Sequence, residues 1–144
     1  MPPKPNQADY VVIADEKLDD YGPLVVVLSE RGLRVGLFST GEEALRAAGG
    51  NAAKQWVVNM KLPDMPGIAL LKLVRRRLPR STVFLVDEEY SADDELAARA
   101  AGATAYVCKP PSVAWLDVYQ PQDSSVLLRQ TKTKRTSAAT LHPP

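Results

Sequence analysis

The chain has 144 residues, 45% of them hydrophobic and 24% charged, and a formal net charge of +1. That suits one domain with a real core, and the charge is too small to draw nucleic acid or an anionic membrane by a global field. A lone Cys108 excludes an internal disulfide framework or cysteine metal site, and no run approaches the ~18 apolar residues of a membrane helix.

Residues 1–9 carry three prolines and no apolar core, so they read as an unordered N-terminus and not as a signal peptide. A cytoplasmic protein is expected. Residues 10–14 (Tyr-Val-Val-Ile-Ala) are a continuous apolar run, as in a strand buried on both faces. The next helix carries Leu24, Val27, Leu28 and Arg31 at helical spacing and ends at Gly32. Pro23 is tolerable only in a first turn, which places the start at Asp19 or Asp20. Residues 33–38 follow as the second strand. Thr40-Gly41-Glu42-Glu43 fits a capping box for a short helix stopping at Gly49-Gly50.

The pattern then repeats. Residues 55–59 form a strand, and Pro66-Gly67 introduce a helix with Ile68, Leu71, Val74 and Leu78 on one face. Residues 82–86 form the fourth strand. Ser91 caps a fourth helix ended by Gly102, and residues 104–108 form the fifth strand. Ser112 suits the start of a short fifth helix with Val113, Leu116 and Tyr119, halted by Pro121. Residues 121–144, with Arg129, Lys132, Lys134 and Arg135, read as a poorly ordered basic tail, leaving a domain over 10–120. Strand alternating with helix implies a parallel sheet covered on both faces.

Asp15-Glu16, Asn59, Asp87 and Lys109 each directly follow a strand run. In a parallel α/β sheet the strand C-termini open onto one edge, where ligands bind, so these residues should meet.

Asp15-Glu16 after the first strand, Leu62-Pro63-Asp64-Met65-Pro66-Gly67 three residues past Asn59, and Ala100-Ala101-Gly102-Ala103 followed by Tyr106-Val107 and Lys109-Pro110 together resemble the receiver domain of bacterial two-component response regulators, over residues 10–111. The resemblance implies a flavodoxin-like three-layer sandwich, a five-stranded parallel sheet of order 2-1-3-4-5 with helices on both faces. It also implies roles. The family has, at the position of Asn59, an aspartate that takes a phosphoryl group from a histidine kinase. An acidic pair, here Asp15 and Glu16, helps that aspartate hold Mg²⁺. A Ser or Thr stands where Asp87 is, Lys109 is the phosphate-contact lysine, and Tyr106 resembles the aromatic residue that switches.

Asn59 and Asp87 depart from that pattern. An amide cannot form an acyl phosphate as a carboxylate does, and its presence removes an anionic ligand from a hard-cation site. No cofactor is therefore expected, and Mg²⁺ binding should be weak. The Asp87 carboxylate would repel a phosphoryl dianion, and Lys109 is its best available partner, so an Asp87–Lys109 ion pair closing the site is expected. Asp64 should face solvent, Asp93, Asp94 and Glu95 should supply helix N-terminal charge, and Arg75-Arg76-Arg77 with Arg80 should be a solvated helix face. Cys108 reads as a small buried hydrophobe.

The function these residues suggest is a stand-alone, degenerate pseudo-receiver acting by phosphorylation-independent protein–protein contact, with partner binding supplying the bias. The alternative is a phosphorelay modulator that binds a histidine kinase or keeps residual phosphate-analogue or Mg²⁺ binding. Expected partners are signalling proteins, a histidine kinase or another response regulator, with a homodimer among the options. Trp115, Leu116 and Tyr119 are candidate interface anchors. Catalysis is not expected: the first-strand loop Asp15-Glu16-Lys17-Leu18-Asp19-Asp20 repels the phosphate of a flavin nucleotide, and the only histidine, His142, has no triad partners. The residues after Lys109 are too few for a helix-turn-helix module, so nucleic acid is not an expected partner.

Overall fold

The computed structural model describes residues 10–48 and 53–115. Five parallel strands, β1 (Tyr10–Ala14), β2 (Arg34–Phe38), β3 (Gln55–Asn59), β4 (Thr82–Asp87) and β5 (Ala105–Cys108), form one sheet of order β2-β1-β3-β4-β5. Among the described residues, four α-helices return the chain: α1 (Gly22–Glu30), α2 (Gly41–Ala48), α3 (Gly67–Arg77) and α4 (Ala92–Ala101). This is the sheet order that the resemblance implies. By its contacts the chain divides into two units between Pro111 and Ser112. The Ser112 hydroxyl accepts from the Ala114 amide at 3.1 Å, consistent with a cap there. Leu116, Tyr119, the rest of the expected fifth helix, both termini and the Gly49-Gly50 stop lie outside the described residues.

Pleat parity organises the core. Val12, Ala14, Trp56, Val58, Val83, Leu85 and Tyr106 join Ala44, Leu70, Leu71, Val74 and Ala98 of α2, α3 and α4 in one buried cluster. The alternate residues Val11, Ile13, Val57, Phe84 and Val86 are buried outside that cluster, as are Tyr21, Leu24 and Leu28 around α1. Leu70, absent from the expected apolar face, is fully buried in α3.

The start of α1 corrects an expectation. Leu18–Tyr21 form a 3-10 turn, and α1 begins at Gly22 with Pro23 in its first turn, where a missing N–H costs nothing. The capping signals are present: Thr40 Oγ1 accepts from the Glu43 amide at 3.1 Å, Ser91 Oγ accepts from the Asp94 amide at 3.2 Å, and Gly102 ends α4 at φ 94°. Acids stand in the first turns of α2 and α4 (Glu42, Glu43; Asp93, Asp94, Glu95), while basic residues stand in the last turns of α2, α3 and α4 (Arg46; Arg75, Arg76, Arg77; Arg99). Each complements the helix dipole.

Arg75 departs from the solvated face expected for its run. Its guanidinium donates to the Gly102 carbonyl at 2.9 Å, to Thr104 Oγ1 at 3.2 Å and to the Ser81 carbonyl, tying the end of α3 to the starts of β4 and β5. Arg76, Arg77 and Arg80 are exposed. No helix among the described residues is long and apolar enough to cross a membrane.

Candidate functional site

The strand ends converge as the topology requires. Asp15 continues the β1 ladder by donating its amide to the Phe38 carbonyl at 3.0 Å, which turns its carboxyl into the sheet edge, only 1% exposed. Oδ1 accepts from the Lys17 amide at 2.9 Å. Oδ2 accepts from the Tyr21 hydroxyl at 2.7 Å, from Asn59 Nδ2 at 3.0 Å and from Lys109 Nζ at 3.1 Å. Burial, and then the Asp15 carboxylate holding its proton, push the Tyr21 hydroxyl far above the usual phenol range.

Asn59 uses both ends of its amide. Oδ1 accepts from the Lys61 amide at 2.8 Å, while Nδ2 donates to Asp15 Oδ2 and to Glu88 Oε2, the latter at 3.2 Å. The reverse orientation would face an oxygen toward two carboxylates. The following loop folds back on this residue: the Gly67 amide donates to the Met60 carbonyl at 2.8 Å, and a Cβ at Gly67 would lie 2.2 Å from the Asn59 carbonyl oxygen. Backbone cannot swing aside as a side chain can. Gly67→Ala is therefore expected to cost about 2 kcal/mol and to shift the Asn59 side-chain amide resonances, checked by urea unfolding and NMR.

Asp64 is exposed as expected, yet it is employed. Its carboxylate oxygens accept from the Gly41 and Glu42 amides, both at 2.9 Å, capping α2 from the loop beside the site. Those backbone donors oppose the burial effect and hold its carboxyl below the ordinary range.

Lys109 is the hub. Its ammonium lies 2.7 Å from Asp20 Oδ2, 2.9 Å from Glu88 Oε2 and 3.1 Å from Asp15 Oδ2, with its side chain 8% exposed. An ammonium has three protons, and three carboxylates take them. Burial alone would lower its pKa; the carboxylates outweigh that and hold it above the ordinary lysine range. Its Nζ also sits 5.5 Å from the Tyr21 ring centroid.

The expected Asp87–Lys109 ion pair does not form. Asp87, 5% exposed, accepts from the Tyr106 hydroxyl at 2.6 Å through Oδ2. The reason is parity: Asp87 follows Val83 and Leu85 toward α4, and the next residue, Glu88, turns to Lys109 instead. Burial raises the Asp87 pKa and the nearby Asp94 carboxyl adds to it, while Tyr106 and the field of Lys61 oppose it. Cys108 lies beside the same pair, and burial raises its thiol; it is half-buried, less enclosed than expected.

A carboxyl raised on folding contributes stability in full below its ordinary value and loses it as pH rises through the folded value. Asp87→Asn would keep the acceptor for Tyr106 without that loss. Its stability relative to the unmodified protein is expected to rise from pH 4 to pH 8, read by thermal melts.

Of the residues singled out in the sequence, Asp15, Asn59 and Lys109 meet in one network, and Asp87 meets Tyr106 in a second. Glu16 is exposed and outside both; the partner of Asp15 on this edge is Glu88. Glu88, Asp20 and Tyr21 are the members that sequence reasoning missed. Parity would have found Glu88, since Phe84, Val86 and Glu88 alternate onto the face shared by Ile13-Asp15, Val57-Asn59 and Val107-Lys109. No short-range signal marks Asp20 or Tyr21, which reach the site from the 3-10 turn.

The doubly wound sheet and its polar strand-end cluster define a class, and comparison supplies the family. Residues 11–118 match the response regulator receiver domain, and the chain belongs to that family. It is 31% identical over 134 residues to the transcriptional regulatory protein KdpE of Mycobacterium tuberculosis, covering 93% of this chain and 55% of KdpE. It is 32% identical over 105 residues to the transcriptional activator PfeR of Pseudomonas aeruginosa, covering 73% of this chain and 33% of PfeR. The chain thus spans about half the length of KdpE and less of PfeR. Among solved structures, a response regulator from Burkholderia pseudomallei with a phosphorylated aspartic acid superposes with a TM-score of 0.74 at 20% identity, over 94% of this chain and 75% of that one. A CheY-like receiver domain protein from Methanospirillum hungatei gives 0.69 at 22% identity, over 87% and 98%. At these identities the structures speak for the fold.

Proposed function

We propose that this receiver domain works in two-component signalling as an interaction module that takes no phosphoryl group. The observation that carries the reading is the closed network at the strand ends. Asn59 presents an amide nitrogen, not a carboxylate oxygen, to the pocket, and its two N–H donors are held by Asp15 and Glu88. All three protons of Lys109 face carboxylates, so a phosphoryl oxygen would have to displace an ion pair to reach it. The Asp87 carboxyl, at the position where the family has a hydroxyl, is committed to Tyr106.

The donor set does not fit the Mg²⁺ that the family implies. A divalent cation among Asp15 and Glu88 would meet the N–H hydrogens of Asn59 and the ammonium of Lys109 where it requires oxygens. The amide and the ammonium neutralise these carboxylates instead. Signalling then rests on surface contact, with a histidine kinase or another response regulator as the class of partner.

The direct test offers the protein acetyl phosphate with Mg²⁺ and follows intact mass, then repeats the exposure with beryllofluoride under NMR. No added mass and unmoved Asn59 and Lys109 resonances are expected. A phosphoryl adduct mapped to this pocket would reject the reading. Asn59→Asp combined with Asp87→Thr should gain the response, which shows that the assay detects it.

A further inference from the structure

Asp87 and Tyr106 form a second polar group, which the pocket chemistry does not use. Tyr106, 8% exposed, donates its hydroxyl to Asp87 Oδ2 at 2.6 Å and accepts on the same oxygen from the Ser91 amide at 2.9 Å. Ser91 is the N-cap of α4: its Oγ accepts from the Asp94 amide at 3.2 Å, and its carbonyl accepts from the Glu95 amide at 2.9 Å. A chain of hydrogen bonds therefore runs from β4 through the β5 tyrosine to the first turn of α4. The Tyr90 ring packs edge-on to Tyr106, with centroids 6.0 Å apart and planes at 70°, in the geometry aromatic pairs favour.

This group is separate from the pocket. Among the described residues, no side-chain hydrogen bond or ion pair joins Asp87, Tyr106, Ser91 or Asp94 to Asp15, Asn59, Glu88 or Lys109. The two sets leave the sheet on opposite faces: Leu85-Asp87 and Tyr106 belong with the α4 side, Val86-Glu88 and Val107-Lys109 with the other. The link between them is backbone, the Lys109 amide donating to the Asp87 carbonyl at 3.0 Å, and Lys61 acts on Asp87 only through its field.

We infer that Asp87 is a positioning residue: through Tyr106 it pins the first turn of α4 to β5, and it does so independently of the pocket. The α4 edge accordingly keeps one arrangement whatever happens around Asn59. Two-state behaviour needs an element that both sites bias, and here the 2.6 Å hydrogen bond from Tyr106 to a buried carboxyl already holds that element. The inference rests on the functional reading above, because it describes how an unphosphorylated domain keeps a fixed surface for a partner.

Amide hydrogen exchange by NMR on the full chain tests it. Tyr106→Phe and Asp87→Ala are each expected to speed exchange at Ser91, Asp94 and Glu95 about tenfold, as the loss of one such bond gives. The double variant should add little to either single one. Asp87→Asn, whose amide oxygen still accepts from Tyr106, should restore slow exchange, a rescue that a general packing role would not produce. Lys109→Met should loosen Asp15 and Lys17 while leaving the α4 amides within about twofold once exchange is corrected for the variant's loss of global stability. Unchanged Ser91 exchange in Tyr106→Phe, no rescue by Asp87→Asn, or equal loosening of α4 in Lys109→Met would each overturn the inference. Failure of the functional reading looks different: it is a phosphoryl adduct or a beryllofluoride shift at Asn59 in the unmodified protein. If α4 exchange also changed with that adduct, independence would be lost; if it did not, the pin would stand alone.

Discussion

Replacing Lys109 by alanine is expected to destabilise the domain by about 3 kcal/mol. The lysine is the common counter-charge of Asp15, Asp20 and Glu88, all within 3.1 Å of its nitrogen. Removing one partner of a buried pair leaves the other desolvated and unpaired, which is worse than never having had the pair. The penalty is kept toward the lower end because the Asp20 and Glu88 side chains are 41% and 47% exposed and can turn to water, where ion pairs contribute little. Asp15, at 1% exposure, cannot. Lys109→Met keeps the aliphatic stem and should lose nearly as much, assigning the effect to charge and not to packing. A raised lysine pKa contributes in full below the ordinary value of ~10.4 and is lost only as pH climbs through the folded value. The gap between variant and parent in urea unfolding should therefore hold steady between about pH 6 and pH 9; a loss under about 1 kcal/mol would show that the three carboxylates do not depend on this ammonium.

Asn59→Asp is the second large effect, and its sign depends on the solvent. The substitution deletes two N–H donors and sets a third carboxylate against Asp15 Oδ2 and Glu88 Oε2, which lie 3.0 and 3.2 Å from the present nitrogen. Lost hydrogen bonds and like-charge contact in a mostly buried site should together cost about 3 kcal/mol in chelator. Millimolar Mg²⁺ should return much of that loss, because the new oxygen gives a hard cation the ligand that the amide withholds. The unmodified protein should melt at one temperature with chelator or with Mg²⁺. A parent that gained as much from Mg²⁺ as the variant would refute the idea that Asn59 and Lys109 already play the cation's part.

Much of the fold could be read from the chain, for a physical reason. Apolar runs such as Tyr10–Ala14 and Val83–Val86 are continuous because parallel strands are buried on both faces, and caps such as Ser91 and Gly102 act locally. What failed was anything set by direction and not by type. The expected Asp87–Lys109 pair rested on opposite charge at neighbouring strand ends, whereas the pleat sends Asp87 toward Tyr106 and gives Lys109 to Glu88. Arg75 looked like its exposed neighbours Arg76 and Arg77, since only the turn of α3 decides which guanidinium reaches the Gly102 carbonyl. The helix start near Asp19 failed by a 3-10 turn, a difference too small for propensity to register, yet that turn is what brings Asp20 and Tyr21 into the network.

The charge placement along the helices has a consequence for encounters. Because every strand runs the same way, α2, α3 and α4 share an orientation, so the acidic starts of α2 and α4 gather at the Asn59 edge and the Arg75-Arg76-Arg77 and Arg99 ends at the opposite one. These helix ends thus separate charge of opposite sign across the described domain. Any charged partner would be steered by that separation, and added salt should slow such an encounter before it weakens a complex.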